Sequence, residues 1–327
     1  MMVKKRILAF ALFLLVTYLP AAEDVPTRKV VCWGDSLTAP HPGCYPDSLS
    51  ALLGPRYEIV NCGVGGESTP TIMGRQGAYP MLLAHDVKVF CDSEARYPKF
   101  IGNSDLPAFV SSLDTSVVTP LIQDGWEESG PAAFNPCRIG GHLFRVRSEA
   151  HNWMEKSFQF EYNYYIEPLE PVEGTFTLSK WEPVETAAMR DLRGAYAYIF
   201  FMGQCGGFDS AEDLVRQYQA MVRYGGSERY LIVGFHIPNY AIPTISAMKE
   251  MEKTLKKAFG DHYINNREYM VHHGLKEAGL IATEEDKSAL KEGKVPPSLM
   301  KDGVHFTDAA YGILAGEIVR RFKKLKY

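Results

Sequence analysis

An α/β fold, with a parallel sheet covered by helices on both faces and interrupted by a mainly β insertion, is what this sequence predicts. Three observations lead there. Short apolar runs without strict alternation occur at 29–33, 57–61, 195–201, 230–235 and 262–264, the pattern of strands buried on both sides. Segments with helical spacing separate most of these runs. From about residue 85 to residue 193 the helical period fades, and short alternating stretches replace it.

The elements follow in order. Lys4-Lys5-Arg6, an uncharged run over 7–19 and then Pro20-Ala21-Ala22 have the form of a secretory signal. The run is short for a span of about 20 residues. The expectation is therefore a signal over 1–22, cleavage, and an exported chain, periplasmic or extracellular, with no stable membrane span. The first strand runs into Gly34-Asp35-Ser36. A helix over 45–53 stops at Gly54-Pro55. The second strand runs into Gly63-Val64-Gly65-Gly66, and a helix is expected over about 72–83.

The insertion carries alternating segments such as Phe144-Arg145-Val146-Arg147 and Thr175-Phe176-Thr177-Leu178, an aromatic stretch over 158–165, and turn signals at Asp124-Gly125 and Gly140-Gly141. The aromatics are read chiefly as strand core, with sugar stacking the lesser alternative. A third strand then ends at Gly203. A helix over 211–224 has Asp209 or Ser210 as its N-cap, a fourth strand and a helix over 245–259 follow, then a short fifth strand, and an amphipathic helix spans 308–323. The main domain is thus 28–84 with 194–327, and the inserted β-rich subdomain is 85–193.

The formal net charge of −4 becomes more acidic once Lys4, Lys5 and Arg6 leave with the signal. That argues against nucleic acid or an anionic membrane as the main partner. Cys32, Cys44, Cys62, Cys91, Cys137 and Cys205 show no zinc or framework spacing. Most read as buried free thiols, with one pair, such as Cys91 with Cys137, left open. His41 and the pair His272-His273 lack partners at metal-ligand spacing, so no metal and no cofactor is expected.

Ligands of an open parallel sheet bind beyond the carboxyl ends of its strands. Three loops there, Gly34-Asp35-Ser36-Leu37-Thr38, Asn61-Cys62-Gly63-Val64-Gly65-Gly66 and Gly203-Gln204-Cys205-Gly206-Gly207, carry unusual chemistry, as does Asp302-Gly303-Val304-His305 before the last helix. A serine is a weak nucleophile until a base takes its proton, and histidine is the natural base near neutrality. Asp302, three residues before His305, can reach the Nδ1 of that imidazole in a turn and leave Nε2 to face Ser36.

The first, second and fourth of these motifs together resemble the SGNH/GDSL hydrolase superfamily, over about 30–75 and 195–327. The resemblance implies a flavodoxin-like three-layer α/β/α fold with a five-stranded parallel sheet in the order 2-1-3-4-5. It implies Ser36 as nucleophile, His305 as base and then acid, and Asp302 as the orienting carboxylate. The N–H groups of Ser36 and Gly66 would hold the oxyanion, Gly66 being the glycine directly before a polar residue, Glu67. The family's third donor is an Asn side chain; Cys205 stands at that place, and a thiol is a poor donor. Asp35 reads as a brace of its loop. His41 reads as a residue at the entrance of the site, and Arg75 chiefly as packing.

The function this implies is an exported serine esterase acting on a short-chain acyl ester, with O-acetyl groups on a carbohydrate as the expected substrate. Two alternatives stand beside it. One is a non-catalytic glycan-binding protein with a degraded site; the other is an O-acyltransferase to a sugar.

Overall fold

The computed structural model describes residues 27–90, 99–103, 106–122, 134–154, 159–170 and 174–327. The expected signal, Cys91 and the Asp124-Gly125 turn lie outside them. The chain begins with β1 (Arg28–Gly34), α1 (Tyr45–Leu53), β2 (Tyr57–Gly63) and α2 (Thr69–Gln76). The inserted strands follow: β3 (Met81–Leu83), β4 (Val87–Phe90), β5 (Lys99–Gly102), β6 (Phe109–Ser111), β7 (Val117–Val118), β8 (Cys137–Ile139), β9 (His142–Met154), β10 (Gln159–Pro168), β11 (Thr175–Leu178) and β12 (Pro183–Glu185). A short α3 (Ala187–Asp191) leads back to β13 (Ala197–Phe201), α4 (Ala211–Gly225), β14 (Tyr230–Val233), α5 (Ile245–Phe259) and β15 (Tyr263–Ile264). The helices α6 (Asn266–Tyr269), α7 (Leu275–Glu277), α8 (Glu284–Glu292) and α9 (Asp308–Leu325) complete it.

The main sheet has five parallel strands in the order β2-β1-β13-β14-β15, which is the order 2-1-3-4-5 of a flavodoxin-like fold. Its central strands are apolar on both faces because both are covered. Val30, Val31, Cys32 and Trp33 of β1 and every residue of β13 are buried. Helices α1 and α9 pack together on one face, and α2, α4 and α5 pack together on the other. In α9, Tyr311, Leu314, Ile318 and Phe322 recur at helical spacing and are buried. The caps follow the sequence: Ser210 accepts from the N–H of Asp213 and Thr307 from that of Ala310.

The insertion forms an eight-stranded sheet in the order β5-β10-β9-β8-β12-β3-β6-β7, with antiparallel pairing throughout, and a separate β4–β11 pair. Phe109, Phe144, Tyr164 and Ile166 are among the residues of its own buried core.

Two stretches differ from the sequence reading. The helix expected over 72–83 ends at Gln76. Gly77 takes φ +103° there, with the Tyr224 ring 2.4 Å from where a Cβ would sit, and Met81–Leu83 already pairs in the second sheet. Residues 265–299, for which no element was read, hold α6 to α8; they are short and charge-rich, so no apolar period marks them. Among the described residues no helix is long and apolar enough to cross a membrane.

Candidate active site

Strand register brings the chemistry-bearing loops together. Gly34 pairs with Gly63 on one side and Phe201 on the other, so β1, β2 and β13 release their loops at one edge of the sheet. The approach is close: a Cβ on Gly63 would lie 2.2 Å from the Ala39 nitrogen, which only glycine allows. The β1 loop is a tight turn in which the N–H groups of Thr38 and Ala39 donate to the Asp35 carbonyl, each at 3.0 Å. The Asp35 side chain accepts from Leu37 N–H at 3.0 Å, and the Cys205 N–H faces the same carboxyl. Asp35 is fully buried, and that burial pushes its carboxyl up to about 7. It braces the turn, as its sequence position suggested.

Ser36, at the head of this turn, is half-buried. Its Oγ lies 2.9 Å from His305 Nε2, and His305 Nδ1 lies 2.9 Å from Asp302 Oδ2. The other carboxylate oxygen, Oδ1, accepts from the N–H groups of Val304 and His305, both at 2.7 Å. The His305 N–H is the main cause that holds the Asp302 carboxyl down at about 2. Asp302 therefore stays ionised through the range where a histidine base works. With Nδ1–H donated to it, Nε2 is left as the acceptor facing Ser36.

The turn that carries Asp302 and His305 is held from several sides. Lys301 N–H donates to the His305 carbonyl at 2.8 Å, and Thr307 N–H donates to that of Leu299 at 2.9 Å. His236, just beyond β14, is buried, donates from Nε2 to the Val304 carbonyl at 2.9 Å, and stacks on Phe306 with ring centroids 3.9 Å apart. Burial lowers its pKa to about 3, so it is a neutral structural imidazole rather than a second base. The sequence offered little to single it out, because a histidine ending an apolar strand has no distinctive spacing.

The second glycine loop also converges here. Gly66 has φ +82°, and its N–H faces the Cys205 thiol. Cys205 thus stands beside the candidate oxyanion donor, where the family resemblance placed it, with its thiol pushed up to about 12 by burial. Its neighbour Gln204 turns elsewhere: its Nε2 donates to the Ile237 carbonyl at 3.4 Å. A residue missed by sequence reasoning, Asn239, fixes this third loop. Its Nδ2 donates to the carbonyls of Gly203 (2.8 Å) and Gln204 (3.0 Å), while Oδ1 accepts from the N–H groups of Ala241 and Ile242. Its amide is fully engaged in bracing. The Pro238-Asn239 turn signal was the only hint of it.

Directly after Gly66, the Glu67 carboxylate is buried against Arg75, with Arg75 donating from Nη2 at 2.6 Å and Nε at 3.3 Å. Arg75 also donates to the Cys62 carbonyl at 2.8 Å and lies over the Trp33 ring. Its role is packing. From the insertion, Leu121 N–H reaches the Glu67 carboxylate, and the Leu121 side chain lies 3.3 Å from where a Gly66 Cβ would be. This part of the insertion therefore lies beside the loops of the candidate site rather than at a remote edge.

The remaining candidates stay apart. His41 is half-buried against Tyr311, ring centroids 5.2 Å apart. His272 and His273 are exposed on a helical turn. Cys32, Cys44, Cys62, Cys137 and Cys205 are free. Among the described residues no group of three or more His, Cys, Asp or Glu side chains is placed to hold a metal.

In fold and in the placement of three motifs, the chain resembles the SGNH/GDSL hydrolases. No family model matches the chain, and no curated protein does. Solved structures similar to it include the lipase/acylhydrolase from Enterococcus faecalis, 14% identical with a TM-score of 0.42, covering 91% of this chain and 96% of that one. Another is 9% identical with a TM-score of 0.37, covering 91% of this chain and 98% of its own. Likeness at this level is one of chain outline and says nothing of substrate or mechanism.

Proposed function

We propose that this protein is an exported serine esterase that removes short acyl groups, chiefly O-acetyl groups of a carbohydrate. The observation that carries the reading is the continuous line Ser36 Oγ, His305 Nε2, His305 Nδ1, Asp302 Oδ2, with 2.9 Å at both contacts. Ser36 Oγ attacks the ester carbonyl as His305 takes its proton. The imidazolium so formed is stabilised by Asp302, and the oxyanion is held by the N–H groups of Ser36 and Gly66. His305 returns the proton to the leaving alcohol. Water, deprotonated by His305, then releases the acyl group from Ser36. Export and the sugar ester rest on the N-terminal sequence and on the family resemblance.

Ser36→Ala should abolish hydrolysis of an aryl acetate and labelling by a fluorophosphonate, with unfolding behaviour unchanged. Turnover like the parent protein's by folded Ser36→Ala refutes the assignment. The Cys205 thiol beside Gly66 favours one second reading, a glycan-binding protein that has lost the third oxyanion donor. A folded parent protein inert to fluorophosphonate but retained on an acylated glycan would select it.

A further inference from the structure

The insertion reaches the candidate site through residues 119–122, just after β7, which belong to no helix or strand. No ladder fixes such a stretch, so its order comes from individual hydrogen bonds. Three consecutive residues in it are anchored, each from a different part of the chain. The Tyr164 hydroxyl of β10 donates to the Pro120 carbonyl at 2.7 Å. The Leu121 N–H donates to the Glu67 carboxylate. The Ser148 hydroxyl of β9 donates to the Ile122 carbonyl. Glu67 is in turn held by the buried Arg75 guanidinium, 2.6 Å away, so the anchor on Leu121 does not give.

Pro120 and Ile122 are buried, and Leu121 between them is half-buried. Its Cδ1 lies 3.3 Å from where a Cβ of Gly66 would sit. Plain packing of the insertion does not require this arrangement. An apolar contact tolerates small shifts, whereas backbone anchors at Leu121 and on both sides of it set where one side chain ends. That side chain ends beside the glycine whose N–H is the proposed oxyanion donor.

We propose that Leu121 is a specificity-determining residue that walls the acyl side of the site and restricts it to short acyl groups. The inference rests on the esterase reading above. In that reading Ser36 Oγ bonds to the reacting carbon, the oxyanion points to the N–H groups of Ser36 and Gly66, and the leaving oxygen faces His305 Nε2 to be protonated. The acyl chain is the remaining substituent, turned away from His305. The Leu121 side chain offers neither donor nor acceptor. It suits an alkyl group, whereas a sugar hydroxyl pressed against it would lose water without gaining a partner. A short acyl group fits in front of this wall, and a longer one has to displace a residue whose backbone is fixed.

The test is kcat/KM of the full chain on p-nitrophenyl acetate, propionate, butyrate and hexanoate, and on phenyl, benzyl and methyl acetate. The parent protein should favour acetate, with values falling along the acyl series. Leu121→Ala should raise the butyrate-to-acetate ratio by about tenfold or more, the scale of a methylene in an apolar pocket, and leave the choice among acetates unchanged. Leu121→Met, of similar volume, should keep the parent's ratio. A ratio within one enzyme is unmoved by partial unfolding or general slowing, so a merely structural role would not shift it. Leu121→Val removes less and should act in the same direction by a smaller factor, which covers the case in which Leu121→Ala fails to fold. A ratio within about twofold of the parent's in the folded variants overturns the inference. So does a parent that prefers butyrate, or a Leu121→Ala variant that alters only the choice among acetates. An active parent whose ratio ignores Leu121 overturns this inference alone, whereas a parent inert to every ester removes the esterase reading with it.

Discussion

Glu67→Gln is expected to destabilise the protein by about 3 kcal/mol, near the lower end of the roughly 3–5 kcal/mol for breaking a buried ion pair. The substitution keeps the side chain's shape and removes its charge. Glu67 and Arg75 are 0% and 3% exposed, so water cannot replace the lost partner of the guanidinium. The cost stays near the low end because Arg75 keeps the Cys62 carbonyl at 2.8 Å and the Trp33 ring at 4.9 Å. Urea unfolding followed by tryptophan fluorescence measures the loss. Turnover should fall as well, since Glu67 directly follows Gly66, the proposed oxyanion donor, and accepts the Leu121 N–H. Adding Arg75→Met should recover part of the stability, because an apolar replacement of the pair leaves no unpaired charge. A loss below about 1 kcal/mol for Glu67→Gln alone would show that the pair is dispensable and refute this reasoning.

Cys205→Asn should raise kcat on an acetate ester by about tenfold with little change in KM, part of the 10²–10³ that an oxyanion donor commonly supplies; loss of activity in Cys205→Ala without recovery in Cys205→Asn would give the thiol a role of its own. Burial pushes Asp35 up to about 7, so folding stability should fall as pH rises from about 4, where the unfolded carboxyl ionises, to the folded value. Asp35→Asn should flatten that stretch of a urea-midpoint profile, and a slope that survives contradicts it. Because Asp302 is held at about 2 and is the hydrogen-bond partner of His305 Nδ1, Asp302→Asn should lower kcat/KM on an acetate ester at neutral pH, and turnover of the folded variant like the parent protein's counts against its role.

The sequence by itself determined the sheet and the line of Ser36, His305 and Asp302. Buried parallel strands are written as apolar runs, so β1, β13 and β14 were legible; the edge strand β2, with Glu58 and Asn61 in it, was marked by the glycine loop that follows, and the two-residue β15 by its place after a helix. The line Ser36, His305, Asp302 was legible because Asp302 and His305 share one turn and Ser36 ends the first strand of a sheet whose topology follows from strand and helix order. Only the tertiary structure decided what supports them. His236, Asn239 and Glu67 act through partners 68, 36 and 8 residues away, and a hydrogen bond across such distances leaves no period in the sequence. The helix expected over 72–83 stops at Gln76 because Gly77 caps it in the left-handed conformation and Pro80 follows, local signals that the reading passed over.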